Sequence, residues 1–511
     1  MTNASQFLKK TGIHCFLLPL FFVLHYYLMY QGLVPLAIAI PFLAVLIVMN
    51  FLHMFISYFL IKNVNKCALV NTLLSFLLLF YGILKDFIAN SLHLAMLAKH
   101  RFILPVLLIV CLLLIRYILK RTSFATTNLF LNILLLSFIS LDLFSFFLPA
   151  THQTGSDNSL VSANIAEVAM PQRADARPDV YFLLFDCYPG LQYIQDYLHY
   201  DNSAMEKELK SRKFKILQNP RCNYNRTPFS MASELNFAHL NGLKNSNSVT
   251  PLDYTRALAT IKRSLVPTMF ERQGYRFYNL SIFEIGAQPP IFLERFLSMS
   301  AIDMLLFNTC PGRIKADIGW KYLHQRADYH DPGKLQVGSI NELKFSNYAT
   351  REFTRTATDS VVTLAGQVSP SPKFVYAHLM MPHAPYFYDE SGRANQPDSI
   401  LPLATHYNTR FFLQYLRYTN KVMLRLVDSI LAASAGKAVI IVQSDHGSID
   451  FEGVPPIPAL TFQNISSFYF PDQAYSNLYD SLTNINTFPV LFNKYFKTAI
   501  PLQKDSCVII R

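Results

Sequence analysis

Acidic side chains are nearly missing from the first 150 residues, where Asp86 and Asp142 stand against ten lysines and arginines. Across all 511 residues only 15% are charged, while 51% are hydrophobic. Subtracting the front from totals of 45 basic and 33 acidic residues leaves 35 and 31, so most of the net +12 belongs to the front. An apolar, basic front of this kind argues against nucleic-acid binding and fits membrane topology. CxxC spacing is absent among the seven cysteines, which removes the usual structural zinc pattern. No internal repeat is visible.

What fills the front is five apolar runs, at about 13–31, 35–61, 67–84, 102–119 and 126–149, each near the roughly 20 residues a spanning helix needs. Apolar segments continue long after the first, which disfavours a cleaved signal peptide. The runs have almost no polar face, which disfavours a buried soluble bundle. With the N-terminus inside, Lys9, Lys10, Lys62, Lys66, Arg116, Lys120 and Arg121 fall at cytoplasmic ends, and only Lys85, Lys99 and Arg101 at the other. An odd number of spans then places everything after Pro149 outside. Cys15, Cys67 and Cys111 lie in apolar runs as packing or lipid-facing residues. Cys187, Cys222, Cys310 and Cys507 fall later and leave room for one disulfide if that part is extracytoplasmic, without indicating a pairing.

The expected organisation is a transmembrane domain over 1–149, a linker over 150–177 rich in small and polar residues, and a second domain over 178–511. In the second domain, strands are expected at 179–185, 213–217, 275–280, 373–379 and 438–443. Helices are expected at 203–212, 266–273, 347–367 and 409–433. This alternation predicts an α/β sheet covered by helices.

Chemistry gathers where strands end. Ala438–Gly447, AVIIVQSDHG, is a β-branched run of the kind buried in a parallel sheet, followed by Asp445 and His446 at the expected ligand crevice. A hard oxygen beside an imidazole nitrogen suits Zn²⁺ or Mn²⁺, although an Asp-His turn capping a helix reads the same way. Gly447 lets the backbone turn or approach closely. DVYFLLF, residues 179–185, ends in Asp186 and repeats the pattern. In NYNRTPFSMASELNFAHL, Thr227 before Pro228 is either a helix N-cap or a hydroxyl nucleophile at a helix N-terminus, activated by a nearby metal. FVYAHLMMPHAPYFYD puts His378 at a strand end and His383 in a Pro-bounded loop, where imidazoles can bind substrate oxygen, ligate metal or protonate a leaving group. His378 as a satisfied core residue and His383 as a turn residue are the plainer alternatives.

Taken in order, the strand ending at Asp186, NYNRT with its S-x-A-S helix, HLMMPHAPY, QSDHG and the tail NISSFYFPD followed by LYDSLTNINTFPVLFNKYF resemble membrane-anchored sulfatase-like proteins of the alkaline phosphatase superfamily. That group is similar to lipoteichoic acid synthases and phosphoethanolamine transferases, which carry about five spanning helices before an extracytoplasmic catalytic domain. The resemblance implies an N-terminal helical bundle followed by an α/β/α alkaline-phosphatase-like domain in the cytoplasmic membrane. It implies one divalent metal on Asp186, Thr227, Asp445 and His446, with Zn or Mn ahead of Mg or Ca. Thr227 would be the nucleophile, while His383 would be catalytic and, with His378, substrate-binding. The implied partners are membrane lipids and a phosphoester or sulfate-ester substrate.

Three departures stand out. Cys187 replaces a small residue, often Gly; Ser230, one turn after Thr227, is a rival nucleophile; and Cys222 with Arg226 has the outer spacing of a formylglycine motif, but Tyr224 takes the proline place. The expected function is a metal-dependent phosphoryl-group transferase or hydrolase, with a sulfatase and a non-catalytic envelope-binding protein as alternatives.

Overall fold

A computed structural model describes residues 3–94, 96–147, 159–161, 177–243, 246, 249–291, 299–315, 337–396, 408–447 and 458–510, with backbone only over 337–350. Most of the expected linker lies outside the described residues. The chain divides into two units, one of residues 1–158 and 299–325, the other of 159–298 and 326–511.

The first unit inverts the usual distribution of apolar residues. Phe51, Leu60 and Leu113 are 60%, 83% and 61% exposed, as expected of helices whose surroundings are hydrocarbon. Leu36–Ile61, His100–Lys120 and Ala125–Phe147 are apolar along their lengths, and each holds a stretch long enough to cross a bilayer. Val64–Leu79 joins a following helix at a 60° bend and makes a fourth candidate span. The first expected run is shorter. Its helix covers His14–Met29, 16 residues, or roughly 24 Å at 1.5 Å per residue.

A break at Thr11–Ile13 separates that helix from the preceding one, Asn3–Lys10. A side chain at Gly12 would meet Ala68 Cβ at 2.3 Å, so the helix packs there without one. The break frees backbone groups, and side chains take them up. Asn132 Nδ2 donates to the carbonyls of Leu8 and Thr11, and its Oδ1 accepts from His14 N. The His14 ring bridges Thr72 Oγ1 at 2.6 Å and Asn128 Oδ1 at 3.2 Å. Helices Ala301–Leu306 and Cys310–Ile314 also pack in this unit. There Gly82 N donates to Asn308 O, and Arg313 pairs with Asp86.

The second unit is built on a six-stranded sheet in the order β2-β6-β5-β1-β4-β3. Its strands are β1 (Val180–Phe185), β2 (Lys215–Ile216), β3 (Arg276–Leu280), β4 (Lys373–Leu379), β5 (Val439–Gln443) and β6 (Ser466–Tyr469). The four strands β3, β4, β1 and β5 run parallel, while β6 is antiparallel to β5 and β2 to β6. β1, β4 and β5 are buried at every residue, which explains their largely apolar runs. β6 lies outside the expected strands because SSFY is short and half polar. Thr409–Ala433 buries Phe412, Leu416, Thr419, Met423, Leu426 and Ile430 at helical spacing, and Val337–Gly366 packs between it and β4.

An aromatic stack forms the other cover. Phe270 lies 4.0 Å from Phe374 of β4 and 5.1 Å from Phe492 of the helix Thr487–Tyr495, and Phe488 meets Phe182 of β1. Phe270→Ala removes the shared centre of this stack and is expected to cost roughly 3–5 kcal/mol. The measurement is the midpoint of loss of near-UV circular dichroism on heating the full chain in detergent.

Candidate metal centre

The site follows from the strand register. β1 lies between β4 and β5, with Leu184 opposite both His378 and Gln443. Residues just beyond the carboxyl ends of β1 and β5 are therefore neighbours, and these are Asp186 and Asp445. Asp186 N donates to Leu379 O at 2.9 Å, and Cys187 N donates to Asp445 Oδ1 at 3.2 Å. Cys187 holds φ +61°, in the left-handed region that a glycine would enter without cost. Gly447 is required for a different reason: a Cβ there would lie 2.1 Å from Gln463 O. It lets two backbones approach each other.

Asp186 and Asp445 are 1% and 0% exposed, and Asp186 Oδ1 and Asp445 Oδ2 have no hydrogen-bond donor among the described residues. His446 Nδ1 donates to Gly447 O at 2.8 Å, leaving Nε2 as the unprotonated nitrogen. Nε2 is 3.4 Å from Asp445 Oδ2, and Thr227 Oγ1 donates to it at 3.2 Å. One ligand atom from each of Asp186, Asp445 and His446 lies within 4.8 Å of the others. Two buried carboxylate oxygens without donors among the described residues, converging with an imidazole nitrogen, fit a divalent cation, and the mixed oxygen and nitrogen set suits Zn²⁺ or Mn²⁺.

Thr227 opens the helix Thr227–Glu234 with Pro228 at the next position, where a missing N–H costs nothing. Its side chain caps no backbone group and turns to His446 instead. Ser230 is 1% exposed and its hydroxyl donates to the carbonyl of Asp445, so it lacks the free hydroxyl that a rival nucleophile needs. Cys222 is fully buried with Sγ against Thr461 O, and burial pushes its thiol well above the ordinary range.

His378 departs from the expected substrate contact. It is 0% exposed, with Nε2 3.0 Å from Asp186 Oδ2 and Nδ1 3.0 Å from the Tyr376 hydroxyl. Sharing the register of Leu184, it faces the carboxylate from behind and sets its orientation. His383 lies in the loop after β4, half-buried, with Nδ1 donating to Ala384 O. Burial pushes the Asp186 carboxyl up, but His383 and the adjacent His378 outweigh it and hold the group below the usual carboxylate range.

Sequence reasoning missed the layer beneath. Ser444 Oγ accepts from Tyr188 N and donates to His446 O, while Asn464 Nδ2 and Asn484 Nδ2 both donate to Ser444 O. Asn484 also donates to Glu234, a fully buried carboxyl seven positions after Thr227. Its place at the end of the Thr227 helix was the only signal in the sequence.

Burial, and then Asp445, push the Glu234 carboxyl well above the ordinary 4.5. It binds its proton more tightly folded than unfolded, so its stabilising contribution is complete below 4.5 and is lost as pH rises through the folded value. Glu234→Gln is expected to flatten stability against pH above 4.5, measured by thermal midpoints of both proteins across a pH series.

A family model described as Sulfatase matches residues 226–494. No curated protein matches the chain. Among solved structures, the integral membrane lipooligosaccharide phosphoethanolamine transferase A (EptA) of Neisseria meningitidis is 11% identical with a TM-score of 0.38, over 99% of this chain and 97% of that one. The C-terminal periplasmic domain of EptC from Escherichia coli, in complex with Zn, is 10% identical with a TM-score of 0.36, over 65% of this chain and 87% of that one. An alkaline phosphatase superfamily protein of Vibrio parahaemolyticus is 15% identical with a TM-score of 0.34, over 66% and 71%. Because the family match takes in more than half of the chain, with Thr227, His383, Asp445 and His446 inside it, the chain belongs to the sulfatase family.

Proposed function

We propose that this protein is a metal-dependent phosphoryl-group transferase or hydrolase with Thr227 as nucleophile, acting at the outer face of the cytoplasmic membrane. The observation that carries this reading is the Thr227 hydroxyl 3.2 Å from His446 Nε2, beside the undonated oxygens of Asp186 and Asp445.

A divalent cation on Asp186, Asp445 and His446, with Thr227 beside it, would supply positive charge to the reacting oxygens and favour the Thr227 alkoxide. Thr227 Oγ attacks phosphorus as the bond from phosphorus to the leaving oxygen breaks. His383, half-buried in the loop after β4, protonates that oxygen. Water or an acceptor hydroxyl then attacks the phosphothreonine and releases Thr227. His378 holds Asp186 in place throughout.

The apolar helices support a donor from lipid, such as a phospholipid head group, with an envelope glycan as another source of phosphoester. Orientation is supported by charge. Lys9, Lys62, Lys66, Arg116, Lys120 and Arg121 cluster at one end, where Lys66 Nζ donates to Leu119 O and Asn128 Nδ2 to Lys9 O. The family description keeps sulfate-ester hydrolysis as the second reading. The buried Cys222 thiol, packed on Thr461 O, and Tyr224 in the proline place of the formylglycine motif support phosphoryl transfer over it.

Thr227→Ala is expected to lower turnover of a lipid-phosphoester substrate by roughly a thousandfold or more while bound metal is retained. Intact-mass analysis of wild-type protein is expected to show a phosphoryl adduct on Thr227, whereas formylglycine at Cys222 would establish the sulfatase reading. Asp445→Asn is expected to lose the metal, read by elemental analysis of purified protein; unchanged metal content would reject the ligand assignment.

A further inference from the structure

Two consecutive membrane helices of the first unit take different partners. His100–Lys120 packs on Val64–Leu79, whereas Ala125–Phe147 packs on His14–Met29, and the short connection Arg121–Phe124 joins the two. Between them runs a slot of about 510 Å³, floored by the buried Leu18, Leu69 and Leu135 and rimmed by the exposed Phe76, Leu114 and Phe138. Thr72, the polar member of the lining, donates to Ala68 O at 2.9 Å and shares a 2.6 Å hydrogen bond with His14 Nδ1, so its hydroxyl is already spent. Water would find no partners in such a slot, and a void would forfeit the contacts of every side chain along it. In a bilayer the filling at hand is an acyl chain.

The two ends of the slot differ. Along Val64–Leu79, Lys66 precedes Leu69, Leu73 and Phe76 at helical spacing, so it stands on the stripe that lines the slot, one turn before the slot begins. Lys66 Nζ donates to Leu119 O at 2.7 Å, next to Ile118 of the lining, which holds the ammonium at that mouth with two further N–H donors. Lys120 and Arg121 follow directly and are exposed. At the other end aromatic rings gather, with Phe21 5.4 Å from Phe138 and 6.2 Å from Phe80. Asp86 and Asp142, the two acidic residues of the first 150, come after Phe80 and Phe138, on the side of this aromatic end. The slot is apolar for roughly 16 Å, from Leu69 to Phe80 at 1.5 Å per residue. Its one charged mouth is basic.

We propose that this slot binds an anionic phospholipid, with one acyl chain between His100–Lys120 and Ala125–Phe147 and the phosphate among Lys66, Lys120 and Arg121. A zwitterionic lipid would bring the same chain, but also an ammonium group to a mouth that already holds three cations. The chain fills the space that the two helices leave between them, so binding stabilises the folded unit. The site does not rest on the phosphoryl-transfer reading; its assignment to the cytoplasmic leaflet follows from the orientation proposed above.

The test uses the full chain in detergent. The probes are phosphatidylglycerol, phosphatidylcholine and, as a head group without chains, glycerol 1-phosphate. Retained lipid is read by native mass spectrometry, and the thermal midpoint by near-UV circular dichroism. Phosphatidylglycerol is expected to be retained roughly tenfold or more over phosphatidylcholine and to raise the midpoint, while glycerol 1-phosphate does neither. Lys120→Gln with Arg121→Gln, both at exposed positions, is expected to bring phosphatidylglycerol down to the level of phosphatidylcholine. Leu114→Trp fills the slot from its rim and is expected to displace both lipids. Equal retention of the two lipids by the wild-type chain, as a headgroup-blind annular layer would give, overturns the proposal. So does retention unchanged in either variant, or stabilisation by glycerol 1-phosphate alone. Should Leu114→Trp not fold, the charge variant decides. An inert Thr227 alters none of these readings, so the lipid site and the proposed function fail separately.

Discussion

Two carboxylates, each buried and each with one oxygen lacking a donor, stand at the ends of adjacent parallel strands. Apart, either could be a satisfied core residue. Together they concentrate negative charge where water does not reach, and such an arrangement persists only if positive charge compensates it. Imidazoles surround them: His378 touches Asp186, His446 approaches Asp445, and His383 acts on Asp186 through space. The His446 tautomer, set by the Gly447 carbonyl, keeps its second nitrogen as an acceptor. The centre is thus built to hold a cation, and the Thr227 hydroxyl is the neutral group placed beside it.

Rigidity beneath the centre comes from a polar layer in which nearly every member is tied to the next. Ser444 connects the loop after β1 to the loop after β5, while Asn464 and Asn484 converge on its carbonyl. Gly447 lets its loop press directly on the backbone at Gln463. Side chains held this way would need little reorganisation to take a cation, which is where preorganised electrostatic catalysis draws its strength.

In the membrane helices polar groups have a different task. Asn132 and His14 take up the backbone groups freed by the break between Asn3–Lys10 and His14–Met29. Chain order conceals that Ala301–Leu306, which follows β3, belongs with the membrane helices.

β1, β4 and β5 were legible because strands buried on both faces are mostly apolar, and the polar residues that follow them mark the sheet edge. β6 was not legible, since a short strand containing two serines has no pattern of its own. The residue types of the centre follow from local order: Asp186, Asp445 and His446 each stand just beyond a strand end, and Thr227 stands before a helical proline. Sequence by itself therefore determined which side chains reach that edge. Tertiary structure decided their roles, because partnership depends on register across strands far apart in the chain: His378 behind Asp186, Ser230 consumed by the Asp445 carbonyl, and Glu234 buried below.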